Sequence, residues 1–209
     1  MDEERWQRLR AIALERVRDA GPAHDALHVE RVVVSARRIA RAEGADVDVA
    51  ATAALLHELF NYPKDHPDSA RSGEVCAEHA ARLLGEHGCD GDFVARVAYC
   101  IRVHPFSRGI LPDTLEARVL QDADRLDAIG AIGIARCFAT SAEMKRPFYA
   151  PDDPFCRARA PDDKQWGIDH FYRKLLRIAD GLHTGSARAI AGERVRFMQA
   201  FLDELAREL

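Results

Sequence analysis

VAATAALLHELF, residues 49–60, decides the fold. From Val49 to Leu56 the only polar side chain is Thr52. A helix built from these residues, read here from about Asp48 to Leu59, is apolar on nearly every side and belongs at the centre of a bundle. It nevertheless ends in His57-Glu58. An ionisable pair at the end of an apolar helix is costly to desolvate without partners. Either the pair faces solvent or something compensates it, and a metal ion is the economical candidate. The zinc motif H-E-x-x-H is excluded, because Asn61 stands where the second histidine belongs.

Outward from this segment the chain reads as helix almost throughout. Trp6, Leu9, Ile12, Ala13 and Val17 recur at helical spacing in an N-terminal helix that Gly21-Pro22 ends. A second helix is predicted from about Asp25 to Ala42, with Leu27, Val32, Val33, Ile39 and Ala40 inward and Gly44 as its stop. After the polar loop NYPKDHPDSA, residues 61–70, helices are predicted over Gly73–His87, Gly91–His104, Leu115–Leu126 and Ala128–Ser141. The stretch from Glu143 to Pro161 is rich in proline and acidic pairs and reads as an excursion or lid. Helices from about Lys164 to Ile178 and from Thr184 to Leu209 close the chain. Strand signals, repeats and linkers are lacking, so the expectation is one all-α domain over residues 1–209. In it the N-terminal helix and the helices of 163–209 pack on the core.

Composition narrows the function. With 30 Lys+Arg against 34 Asp+Glu the formal charge is −4, without the basic surplus of a dedicated nucleic-acid binder. The apolar stretches are too short for a membrane span, and the charged N-terminus lacks the apolar core of a signal peptide. The five cysteines are odd in number and form no C-x-x-C pair, so a reducing cytoplasm is expected. The 7% aromatic content leaves no evident platform for a long single strand. Phe106, Phe148, Tyr149 and Phe155 are the candidates for stacking on one base.

Two further clusters carry ionisable groups. His24 and His28, four residues apart, can share a helix face, with Arg31 one turn on to stay near an anion. The alternative is a pair of surface histidines beside a capping Asp25. In QDADRLDAIGAIGIAR, residues 121–136, Asp122, Asp124 and Asp127 lie close together in an apolar setting. Three carboxylates repel one another unless a cation or an arginine such as Arg125 intervenes. The alternative is an acidic first turn at a helix N-terminus. Gly130 and Gly133 suggest close helix packing. Together the clusters offer imidazoles and carboxylates from separate helices. That mixed shell suits Mn2+, Fe2+, Co2+, Ni2+ or Zn2+ better than Ca2+.

The ordered set His28, His57-Glu58 and Asp124 resembles the H…HD…D signature of the HD-domain superfamily of metal-dependent phosphohydrolases. HDALHVERV (24–32), HELFNYPKDHP (57–67) and DADRLDAIGAIGIAR (122–136) resemble its metal helices. DHFYRKLLRI (169–178) and TGSARAIAGERVRFMQAFLDEL (184–205) resemble one bacterial subgroup. The similarity thus runs from about Ala23 to the C-terminus. Some members of that subgroup are nucleoside triphosphate pyrophosphohydrolases.

The resemblance implies an all-α HD bundle with its metal between central helices, held by His28, His57, Glu58 and Asp124. One divalent ion is expected, Mn2+ first, with Mg2+, Fe2+, Co2+, Ni2+ or Zn2+ as alternatives. The implied substrate is a small phosphate ester, a nucleotide above all, handled by a monomer or homodimer. Lys64, Arg125 and Arg31 are the candidate cations for its phosphates. His104, at a helix C-terminus, is a candidate substrate contact or proton donor. His24, His79 and Asp127 are candidate substrate-binding residues. One departure is Glu58, where the family carries aspartate; the added methylene moves the carboxylate outward by about 1.5 Å. Another is Ala26-Leu27, where the subgroup has bulky aromatics, a change that reshapes the pocket. The competing reading from another class is a nucleotide-binding or regulatory protein silenced by Glu58.

Overall fold

The computed structural model describes residues 1–18, 21, 24–63, 66–105 and 109–209. Among the described residues the regular structure is entirely helical. Nine α-helices follow in order: α1 (Glu3–Arg16), α2 (Ala26–Glu43), α3 (Val47–Leu56), α4 (Ser72–Glu86), α5 (Gly91–Val103), α6 (Leu115–Asp127), α7 (Gly130–Glu143), α8 (Asp169–Arg173) and α9 (Gly185–Glu208). Single 3-10 segments cover Ser69–Arg71 and Leu175–Gly181. The chain divides into two compact units, Met1–Asp124 and Arg125–Leu209.

In the first unit α3 is the axle. Every residue from Val49 to Leu56 is buried, as its composition requires. Each large side chain such as Leu55 or Leu56 adds about 1.5–3 kcal/mol by leaving water. Helices α2 and α5 pack on α3, α4 packs on α5, and α1 rests on α2 and α3. Gly73 lets α4 come close to the end of α5, since a Cβ there would meet Pro105 Cγ at 2.7 Å.

Local chemistry sets the helix ends. Asp46 caps α3 by accepting from the amides of Asp48 and Val49. Asp25 caps α2 by accepting from His28 N, and Gly44 ends it with φ +74° and its N–H on Ala40 O. Along α2 the inward residues are His28, Val29, Val32, Val33, Ala36, Ile39 and Ala40. Leu27, expected inward, is 65% exposed. It lies seven residues before Val34, equally exposed, on the face opposite the one that His28 and Val32 turn to the core.

In the second unit α7 packs against α9. Phe138, Phe148, Phe171 and Phe201 form an aromatic cluster with centroids 5.0–6.1 Å apart. The helix predicted over Lys164–Ile178 is broken. The amides of Gly167 and Ile168 donate to Pro147 O and Phe148 O, so they are not available to a helix. Only Asp169–Arg173 is α-helical, and a 3-10 segment follows. The excursion 143–161 is fastened to this unit. Arg159 makes a two-pronged pair with the buried carboxylate of Asp169, at 2.5 and 2.7 Å, and Asp162 N donates to the same group at 2.6 Å.

Gly130 starts α7 with φ +79°, a left-handed conformation that favours glycine. Gly133 serves close approach: a Cβ would sit 2.3 Å from Ala128 O.

Candidate metal centre

The four residues expected to hold a metal meet in the first unit. His28 comes from the first turn of α2, and its amide is held by the capping Asp25 at 2.8 Å. His57 stands at the C-cap of α3 and is fully buried. Its Nδ1 donates to Ala54 O at 2.7 Å, which leaves a lone pair on Nε2, the tautomer a metal needs. Burial pulls its pKa down to about 4, against the attraction of Glu58 and Asp124, so the ring is neutral at pH 7. The thiol of Cys76, on α4, donates to Leu56 O at 3.4 Å and His57 O at 3.2 Å. Burial pushes that thiol up to about 12, so it stays protonated and fastens the turn that carries the dyad.

Glu58 follows on that turn. Burial pushes its pKa up, but the His24 hydrogen bond and the nearby histidines outweigh this and leave it at about 2. It is therefore a carboxylate at any ordinary pH. Asp124 projects from α6 and is the most open member, at 32% exposure against 7% for Glu58. Gln121, one turn earlier on α6, donates to Val103 O at 2.7 Å and ties that helix to the end of α5.

The donor atoms converge. His28 Nε2 lies 3.3 Å from His57 Nε2, 3.8 Å from Glu58 Oε1 and 3.5 Å from Asp124 Oδ1. His57 Nε2 lies 3.7 Å from Glu58 Oε1 and 3.9 Å from Asp124 Oδ1. An ion about 2.0–2.2 Å from each donor separates neighbouring donors by roughly 3.0 Å at octahedral angles and 3.4 Å at tetrahedral ones. The observed edges are those distances or slightly longer, and the donors fall into two groups that share His28, each close enough to hold a cation: His28, His57 and Asp124 in one, His24, His28 and Glu58 in the other. The ring of His104 stands edge-on to His57 with centroids 5.3 Å apart, and its Nδ1 donates to Ile101 O at 2.6 Å.

The family model of the HD domain matches residues 11–129. The chain belongs to the HD-domain family. It is 36% identical to YpgQ of Bacillus subtilis over 197 residues, which cover 91% of this chain and 87% of YpgQ. The crystal structure of Bacillus subtilis YpgQ in complex with ADP superposes with a TM-score of 0.76 and 31% identity, covering 99% of this chain and 95% of that one. An HD-superfamily hydrolase of Bacillus thuringiensis superposes with a TM-score of 0.77 and 29% identity, covering 99% and 97%.

Within this HD domain the remaining candidates are placed as follows. His24 sits beside the cluster with Nδ1 2.8 Å from Glu58 Oε1, and with His28 and Glu58 it makes up a group that could hold a metal ion. Arg31 is half-buried one turn beyond His28. His79, on α4, stacks on Phe60 at 5.4 Å, next to a second stack of Tyr62 on His66 at 4.5 Å. Arg125 donates to Gly181 O at 2.6 Å and approaches His183 Nε2 at 3.5 Å. Asp127 is buried and accepts from Arg136 at 2.7 Å, an ion pair inside the second unit. Lys64 and Phe106 lie outside the described residues.

Sequence reasoning missed two residues. Asn61 donates from Nδ2 to Glu58 Oε2. It entered the sequence reading only as the residue that breaks a zinc motif. Asp169, the first residue of the DHFYRKLLRI segment, holds the excursion through Arg159, a pairing that the sequence does not signal.

Proposed function

We propose that this HD-domain protein is a divalent-metal phosphohydrolase of nucleotides, with a nucleoside triphosphate as substrate and pyrophosphate as the released group. The observation that carries the reading is the donor cluster itself: His28, His57 and Asp124 present donor atoms 3.3–3.9 Å apart, and Glu58 Oε1 lies 3.7–3.8 Å from the same two imidazoles. The HD-superfamily hydrolase of Bacillus thuringiensis supports the reaction class, and the ADP complex of YpgQ supports a nucleotide as ligand. The free cysteines support a reducing cytoplasm as the compartment.

When bound, a divalent ion supplies positive charge for phosphate oxygens and lowers the pKa of a water in its shell. Mn2+ is the ion we favour, from the mixed nitrogen and oxygen donors. The chain does the rest. His57, fixed by Ala54 O, keeps its Nε2 lone pair turned inward. His104, fixed by Ile101 O, offers Nε2 as an acceptor when neutral and as a proton donor when charged. Those are the states needed to receive a proton from water or to give one to a leaving phosphate oxygen. Asp124, the most exposed member, marks the side from which substrate reaches the ligands. Lys64 and Arg31 remain our candidate cations for the phosphates, and His79 our candidate for a base or sugar contact.

A second reading has a specific observation in its favour. Both oxygens of Glu58 are engaged, by His24 and Asn61, where the family has a shorter aspartate. A protein so altered binds a nucleotide without turning it over. The experiment is hydrolysis of a panel of nucleoside triphosphates with Mn2+, by wild type and by Glu58→Asp. A working enzyme releases pyrophosphate or phosphate as wild type and changes modestly on substitution. A silent one releases nothing until the aspartate is restored.

A further inference from the structure

The glutamate of the dyad should not hold its place unaided. Relative to aspartate it carries one more methylene and one more torsion, and a ligand oxygen must keep its metal distance to within about 0.2 Å. Yet Glu58 Oε1 stands 3.8 Å from His28 Nε2 and 3.7 Å from His57 Nε2, inside the ligand set. What fixes it there is visible on either side. His24 Nδ1, just before the cap of α2, is 2.8 Å from the same Oε1. Asn61, in the segment after the dyad, donates from Nδ2 to Oε2. One oxygen thus faces the two imidazoles and His24, and the other is held by the amide. The carboxylate is clamped from two different segments of the chain, so its terminal torsion has one setting.

We propose that His24 and Asn61 are positioning residues that make the longer Glu58 carboxylate a competent metal ligand, compensating for the extra methylene. The inference rests on the metal-site reading above and gives His24 a role through Glu58 rather than on substrate. Hydrogen bonds to a ligating carboxylate orient it for the ion, and loss of such partners typically lowers metal affinity by roughly 10–100-fold. The clamp is specific to glutamate. An aspartate at position 58 falls about 1.5 Å short of both partners. The contributions of His24 and Asn61 should therefore vanish in a Glu58→Asp background.

The test is a double-mutant cycle on Mn2+ affinity, read by calorimetry and by the loss of the free-ion electron-spin-resonance signal. Its members are wild type, His24→Ala, Asn61→Ala, Glu58→Asp and the two double variants. Both sites lie at the exposed end of the cluster, and His24→Ala carries the test if Asn61→Ala does not fold. The expected result is that each single variant weakens Mn2+ binding by about 10–100-fold, whereas the same changes made on Glu58→Asp alter it less than about threefold. Equal binding by wild type and both single variants overturns the proposal. So does an equal loss in both backgrounds, which is the mark of a merely structural role. If wild type itself takes up no Mn2+, the metal-site reading has failed first and this proposal falls with it.

Discussion

The Nε2 atoms of His28 and His57 stand 3.3 Å apart, although the two residues come from different helices and both are buried. With His57 Nδ1 tied to Ala54 O, its inward nitrogen carries a lone pair that a cation can satisfy. His57→Ala removes that donor. It should weaken Mn2+ binding by more than the roughly 100-fold upper range for outer partners. Saturating Mn2+, at about 100 times its Kd, adds some 2.7 kcal/mol of stability to a protein that binds it. For a chain of this size that is a rise in Tm of about 5–10 °C. Differential scanning fluorimetry should show the rise in wild type and none in His57→Ala.

Asp127 is expected to act on stability and not on the metal. Its carboxylate is buried 2.7 Å from Arg136, so Asp127→Asn takes the negative charge out of a largely buried ion pair. A loss of about 3 kcal/mol in urea unfolding is expected. Mn2+ affinity should stay within about twofold of wild type, the additivity expected of a site outside the ligand set. A large fall in affinity instead would return Asp127 to the site.

Asp169 gives the protein an acid-sensitive fastening. Burial raises its pKa, but the Arg159 pair and the Asp162 amide outweigh burial and hold it below the usual carboxylate value of 3.8. A group depressed in the folded state contributes stability above its unfolded pKa and loses it as pH falls through the folded one. The contribution is therefore intact at pH 5 and above and is lost progressively below about pH 4. Urea midpoints measured from pH 6 down to pH 3 should fall more steeply for wild type than for Asp169→Asn. The variant should already be weaker at pH 6 by about 3 kcal/mol.

Gly133→Ala should destabilise without touching the ligands. The new methyl would lie 2.3 Å from Ala128 O, which is backbone and cannot rotate away. Overpacking of this kind costs about 1–3 kcal/mol. Thermal unfolding in EDTA reads it free of any metal contribution.

The sequence was most legible where one residue type carries one physical demand. An apolar run from Val49 to Leu56 had to be central, and it is. Gly44 and Asp25 marked the ends of α2 because a left-handed cap and an amide acceptor are local needs. His28, His57, Glu58 and Asp124 stand out because ionisable groups in apolar helices need compensation, and the fold places them in two ligand groups that share His28, with His24 as a further member. What depends on one particular side-chain or backbone partner was not legible. The run from Lys164 to Ile178 is composed like a helix, but the carbonyls of Pro147 and Phe148 take the amides of Gly167 and Ile168. The pairing of Asp127 with Arg136, nine residues on, has no signal in the sequence. Asn61 carried no signal because its role exists only through the rotamer of Glu58.

The central claim is that four side chains hold one catalytic divalent ion. Elemental mass spectrometry of the purified protein, wild type beside Asp124→Ala, tests it most directly when the same samples are assayed for release of phosphate or pyrophosphate from nucleoside triphosphates. Near-stoichiometric transition metal and turnover in wild type, with both lost in Asp124→Ala, is the expected result. A folded wild type that carries no metal, takes up none from Mn2+ and turns over no nucleotide would contradict the account.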